Sequence, residues 1–235
     1  PLDYRGRREA YVALVIEEMI PAVAAEGLAR FCDVWCDRGI FTVDESRRIL
    51  EAGRGRGLLP KLHADELGDA GGARLAAEVK AVSADHLLYA SDDGLRAMVE
   101  AAVVAVLLPG TALTLGLPYA RARDMIAMGV PVAIATDFNP GSTFSSSMPL
   151  MLTLAVTQMR MTPAEAWMAA TANAAEAVGE GRRLGRIAPR RQADFVLYET
   201  PDYRHIPYHY GRNHVRATVK RGRVVFRRDD PSICR

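Results

Sequence analysis

The chain has 235 residues with 30 basic and 28 acidic side chains, a formal net charge of +2, and 49% hydrophobic residues. So balanced a charge predicts no nucleic-acid footprint, and the hydrophobic share is ample for a buried core. The longest apolar run, Ala101 to Leu108, is far short of the roughly 20 residues a membrane helix needs, and the opening PLDYRGRREA is charged where a signal peptide is apolar, so a cytoplasmic chain without a membrane partner is expected.

Arg8 to Ala25 sets Ala10, Val12, Leu14, Val15, Met19 and Ile20 among charges at the period of an amphipathic helix. Phe31 to Cys36 reads as a strand whose Cys32 and Cys36 share one face. With Cys234 they make three cysteines, an odd count without an export signal, so reduced thiols are expected rather than a disulfide framework or a four-ligand zinc site. Thr42 to Gly53 is helical, its Asp44 and Glu45 early and its Arg47 and Arg48 later, as a helix dipole prefers. The alternation continues with a strand over Leu58 to His63, a helix over Gly72 to Val79 and a strand over His86 to Tyr89. A helix over Asp92 to Ala101, a strand over Val103 to Leu108, a helix over Tyr119 to Met128 and a strand over Val130 to Ala135 follow. Strands apolar on both faces and joined through helices indicate a parallel sheet covered by helices, either an open doubly wound sheet or a closed barrel. Pro149 to Arg160 and a second helix from Thr162-Pro163 to about Ala170 come next, the threonine and proline serving as N-cap and first-turn residue. Beyond Gly185, Asp194 to Tyr198, His214 to Lys220 and Val224 to Arg227 form short strands around the Arg221-Gly222 turn.

His63, His86 and Asp137 each lie at or near the carboxyl end of a strand, where both parallel architectures place their chemistry. Asp137 emerges from the apolar VAIA into an Asn-Pro-Gly turn, so its carboxylate has to be paired, metal-bound or solvated at a cleft. Imidazoles and a carboxylate on one rim suit zinc or ferrous iron, which lowers the pKa of a bound water and points to hydrolysis. No glycine-rich phosphate loop follows any strand, which leaves a nucleotide cradle unsupported. His205, His209 and His214 invite a second metal reading, but Pro207 and the tyrosines around them favour packing in a connecting loop. Arg182, Arg183, Arg190 and Arg191 read as a solvated basic surface.

The segments DVWCDRGIF, KLHADEL, ADHL, ATDFNPGS, TPAEAWMAATANAAEAVG and HIPYHYGRNHV resemble the imidazolonepropionase family of the amidohydrolase superfamily, and the resemblance runs over almost the whole chain. It implies an α/β fold: the part of a (β/α)8 TIM-type metal-dependent hydrolase barrel from about strand 4 to strand 8, over residues 1–184, followed by part of a small β-sandwich over residues 185–235. By resemblance His63 is a metal ligand on the fifth barrel strand, and Asp137 is ligand and general base at the end of the eighth. His86, on the sixth, orients the water or stabilises the oxyanion, and Glu66 holds a ring nitrogen of the substrate and passes it a proton. Asn139, Gly141 and Ser142 contact substrate or product. The implied reaction is metal-dependent hydrolysis, with zinc or iron, of the cyclic amide of the small molecule 4-imidazolone-5-propanoate to N-formimidoyl-L-glutamate. The full-length enzyme is expected to be a homodimer. The family also carries an H-x-H ligand pair on its first barrel strand, and no such triplet occurs here. Together with Pro1 in place of an initiator methionine, this implies part of a longer enzyme that is inactive alone. The alternatives are another amidohydrolase, such as a ring deaminase, or a non-catalytic homologue serving as an assembly subunit.

Overall fold

The computed structural model describes residues 1–229; Cys234 lies outside them. In chain order the elements are α1 (Arg8–Leu14), α2 (Ile20–Ala25), β1 (Phe31–Cys36), α3 (Val43–Gly55), β2 (Leu59–Ala64), α4 (Gly72–Glu78), β3 (Ser83–His86), α5 (Asp92–Glu100) and β4 (Val104–Leu107). They continue with α6 (Pro109–Leu115), α7 (Ala122–Met128), β5 (Val132–Ile134), α8 (Met148–Thr157), α9 (Pro163–Ala170), α10 (Ala172–Ala177), β6 (Phe195–Tyr198), α11 (His205–Tyr208), β7 (Val215–Lys220) and β8 (Arg223–Arg227). Two compact units result, one of residues 1–106 and 124–131, the other of residues 107–123 and 132 onward.

In the first unit β1, β2, β3 and β4 pair in chain order and all in parallel. Alternation along the strands explains which face is covered. On β1, Cys32, Val34 and Cys36 are buried while Asp33 and Trp35 are exposed; on β2, Leu62 and Ala64 are buried while Lys61 and His63 are partly open. The buried set meets the helices closely. A Cβ on Gly53 of α3 would lie 2.7 Å from Cys32 Cβ, and one on Gly72 of α4 would lie 2.8 Å from Ala64 Cβ, so both contacts depend on the missing side chain. Leu50, Leu62, Leu75, Leu87, Leu95 and Met98 fill the space between. Cys32 and Cys36 are free thiols in this layer, and burial pushes the Cys32 thiol up to about 11.

Two expected elements differ in detail. The first helix is continuous but widens into a π turn at Val15–Met19, which gives Pro21 room where it cannot donate to the preceding turn. The third strand is Ser83–His86, not His86–Tyr89, so His86 ends the strand; Leu87 and Leu88 are buried in the turn that follows. The helix from Pro163 ends at Ala170 as expected, and Thr171, with φ −126° and ψ −83°, separates it from α10.

In the second unit the Ala135 N–H donates to the Leu107 carbonyl at 3.2 Å beside β5, and Met151, Leu152 and Ile206 are among its most buried side chains. Strands β6, β7 and β8 form a separate antiparallel sheet, the short-strand segment expected beyond Gly185.

Two helices start with capping boxes, Thr42 with Glu45 on α3 and Thr162 with Glu165 on α9. Each glutamate is also held by an arginine. Arg8 Nε donates to Glu45 at 2.6 Å, and Arg123 grips Glu165 through two bonds of 2.8 Å. The arginine contacts hold both carboxyls down at about 2, against an ordinary 4.5. A carboxyl depressed in the folded state contributes stability that is present above its unfolded pKa and lost as pH falls through the folded one. The chain is therefore expected to lose stability between about pH 4.5 and pH 2. Urea unfolding at three pH values should show Glu45→Gln less stable at neutrality and less sensitive to acid than the wild type; parallel profiles would contradict the assignment.

Candidate active site

Within the first unit the open face of the sheet carries a polar ladder. Register pairs Asp33 with Lys61 and Lys61 with Ser83 on one rung, and Trp35 with His63 and His63 with Asp85 on the next. Across these rungs Asp33 Oδ2 lies 2.7 Å from His63 Nδ1. Ser83 donates to Asp85 Oδ1 at 2.7 Å and also meets the Lys61 ammonium, which lies 3.9 Å from the same carboxylate. Burial pushes Asp85 up, and the Lys61 charge opposes it.

The chain leaves β2 through Asp65, a fully buried residue with φ +51°. Its carboxylate accepts from the Ala70, Gly72 and Ala73 N–H groups at 2.9, 3.0 and 2.8 Å, which ties the loop to the start of α4. Burial pushes its pKa up while these donors pull it back. Asp37, in the loop after β1, accepts from the Glu66 and Leu67 N–H groups at 2.7 and 2.8 Å. The Glu66 backbone is thus held from two sides. Its carboxylate reaches to 3.5 Å from His86 Nδ1, with both side chains buried. His86 and Leu87 turn the chain with φ of +74° and +58°, and the His63 and His86 rings lie 5.2 Å apart. His63, Glu66 and His86 are therefore brought together. The left-handed residues at these strand ends are the kind of local strain that clusters at functional sites.

Within the second unit Asp137, φ +52°, follows β5. Its Oδ2 accepts from Thr111 Oγ1 at 2.6 Å and Ser142 Oγ at 3.1 Å, and Thr143 Oγ1 lies 2.9 Å from Thr111 Oγ1. The Asn139 amide organises the same loop. Its Oδ1 accepts from the Gly141 and Ser142 N–H groups, and its Nδ2 donates to the Asp137 carbonyl and Ser142 Oγ, all at 2.8 Å. Asp137, Asn139, Gly141 and Ser142 thus form one hydrogen-bonded loop, with the exposed Phe138 and Phe144 rings 5.3 Å apart beside it.

Sequence reasoning missed Asp33, Asp37, Asp65 and Thr111. Asp33 alone left a signal, a carboxylate in an otherwise apolar strand. The His205 and His209 rings lie tilted at 5.2 Å and His209 and His214 stack at 5.6 Å, as packing predicts, although α11 forms a single turn that accommodates Pro207. Burial first, then Arg212 and His209, pushes the His214 pKa down. Among the described residues no group of three or more His, Cys, Asp or Glu side chains is placed to hold a metal ion, and no helix is long and apolar enough to cross a membrane.

The amidohydrolase family model matches residues 38–225. The chain belongs to that family. This amidohydrolase chain is 53% identical over 225 residues to an imidazolonepropionase of Geobacillus thermodenitrificans, an alignment covering 96% of the chain and 53% of the relative. It spans about half the length of the relatives it matches. Among solved structures it resembles the N-isopropylammelide isopropylaminohydrolase of Burkholderia multivorans, with a TM-score of 0.72 and 19% identity over 90% of this chain and 59% of that one. A zinc-bound adenosine deaminase of Xanthomonas campestris gives 0.69 and 21% over 83% and 52%. At these identities the likeness shows the fold alone, a partial (β/α) hydrolase barrel.

Proposed function

We propose that the chain is part of an imidazolonepropionase that hydrolyses the ring amide of 4-imidazolone-5-propanoate to N-formimidoyl-L-glutamate. The observation that carries this is the 53% identity to an enzyme of that name over nearly the whole chain. The geometry supports it, since the residues expected to act lie at or just after strand ends, each beside polar side chains that hold or face it. His63 offers an imidazole backed by a carboxylate, and Asp137 a carboxylate with one oxygen fixed by two hydroxyls. Nitrogen and oxygen donors of this kind fit zinc or iron. His63 and Asp137 would each serve as a ligand, and a metal ion so held would supply polarisation of the ring carbonyl and a lowered pKa for the attacking water.

The chain's own residues handle the protons. Asp137 would take one proton from the attacking water. His86 would face the developing oxyanion, and Glu66, beside it, would hold a ring nitrogen in its protonated form, give that nitrogen its proton as the C–N bond breaks, and be reprotonated by the proton Asp137 gives up. Asn139 shapes the loop through which Gly141 and Ser142 meet substrate or product. The same reading includes a barrel over residues 1–184 and a sandwich part over 185–235, a cytoplasmic location and a homodimer of the full-length enzyme.

The test mixes the folded chain with the corresponding preceding segment of the Geobacillus relative and follows loss of imidazolonepropanoate, with guanine as a competing ring substrate. Turnover of the imidazolone by the pair, and none by the chain alone, is expected. No turnover from two folded pieces, or deamination of guanine instead, overturns the proposal.

A further inference from the structure

We infer that Asp37 is the positioning residue for Glu66, fixing the direction in which that side chain leaves the loop after β2; this rests on the proposed role of Glu66 at the substrate ring. Asp37 follows β1 and is 3% exposed. Its Oδ2 accepts from the Glu66 N–H at 2.7 Å and the Leu67 N–H at 2.8 Å, and its Oδ1 from the Arg38 N–H at 2.7 Å. The two peptides on either side of the Glu66 Cα are thus tied to one oxygen. Because each peptide is planar, holding both sets φ and ψ at Glu66 and with them the direction of its Cα–Cβ bond. The consequence shows at the far end of the side chain, where Glu66 Oε1 lies 3.5 Å from His86 Nδ1.

The anchor is itself held. The Asp37 N–H donates to the Phe41 carbonyl at 3.2 Å and the Asp37 carbonyl accepts from the Ile40 N–H at 3.1 Å, a turn that brings Phe41 back beside Cys36. The same turn grips the loop further along. Arg38 Nη2 donates to the Asp69 carbonyl at 3.2 Å, and a Cβ on Gly68 would lie 3.0 Å from Arg38 Cδ. The Asp65 carboxylate serves Ala70, Gly72 and Ala73 at the start of α4, so the two aspartates divide the loop between them.

The test uses the chain completed by its preceding segment, as wild type, Asp37→Ala, Glu66→Ala and the double variant. A misplacement of about 1 Å at a reacting group can cost 10²-fold, so Asp37→Ala should lower kcat/KM for imidazolonepropanoate about 100-fold. On the Glu66→Ala enzyme the same substitution should cost less than about threefold, because no side chain is left to position. Asp37→Asn, whose amide oxygen can still accept from both N–H groups, should return kcat/KM to within about tenfold of wild type. Hydrogen exchange in the peptide spanning Glu66 and Leu67, followed by mass spectrometry, should be fast in Asp37→Ala and slow in wild type and Asp37→Asn. If Asp37→Ala loses its circular dichroism spectrum, Asp37→Ser, whose hydroxyl falls short of the position of the carboxylate oxygens, replaces it. An equal loss on both backgrounds, an Asp37→Asn enzyme as slow as Asp37→Ala, or exchange that ignores residue 37 overturns the inference. A completed wild type without turnover sinks the proposed function instead, and the exchange then decides alone whether Asp37 holds the Glu66 loop.

Discussion

Asp137→Asn, in the chain completed by its preceding segment, is expected to lower kcat for imidazolonepropanoate by at least about 10²–10⁴-fold, the usual contribution of a positioned general base. The substitution is nearly isosteric. Its amide oxygen can still accept from Thr111 and Ser142, which reach Oδ2 of the native carboxylate, so the loop should keep its shape. What is lost is the capacity to take a proton and the anionic donor for the metal. Thr111→Val separates these effects. It leaves the carboxylate but removes the shorter of its two hydroxyl contacts, and a hydrogen bond to a charged group is worth about 1.5–3 kcal/mol, so a loss of roughly tenfold to a hundredfold in kcat is expected. Metal content measured on each variant distinguishes a missing base from a missing ion. If Asp137→Asn turned over within a factor of about three of wild type, the base would have to be sought elsewhere.

The alternation of strands and helices was legible because its signals are local: apolar runs, the early acids and later arginines of Thr42 to Gly53, and the N-cap threonine and first-turn proline at Thr162 and Pro163. The third strand was misplaced because its open face is polar. Ser83 and Asp85 interrupt the apolar pattern of a genuine strand, while Leu87 and Leu88 supply one to a buried turn. His63, His86 and Asp137 could be singled out by position alone, since each closes or follows a strand. Their supports could not, because Asp33, Asp37 and Thr111 lie 30, 29 and 26 residues from the groups they hold, and only pairing in space reveals the contacts. Asn139 is a mixed case. The Asn-Pro-Gly turn announced a loop, but the use of the whole amide to organise that loop followed only from its four hydrogen bonds.

Asp65→Ala should be the most destabilising single change in the first unit's loops, costing about 3–5 kcal/mol in urea unfolding. Helix α4 begins after Gly71, which has no side chain to cap it, and Asp65 supplies the missing acceptor from upstream. Without it, the buried Gly72 and Ala73 N–H groups and the partly buried Ala70 N–H lose their partner, at about 1–3 kcal/mol for each buried donor left unsatisfied. Asn is no remedy here. Oδ1 serves two donors and Oδ2 a third, so turning either oxygen into an NH2 sets donor against donor, and Asp65→Asn should still cost about 2 kcal/mol or more. Because the same loop carries Glu66 away from β2 and His63 sits two residues upstream, the variant should also disturb the His63 and His86 resonances before the chain unfolds globally. A cost below about 1 kcal/mol would mean that water reaches these donors and that the loop is not fixed by Asp65.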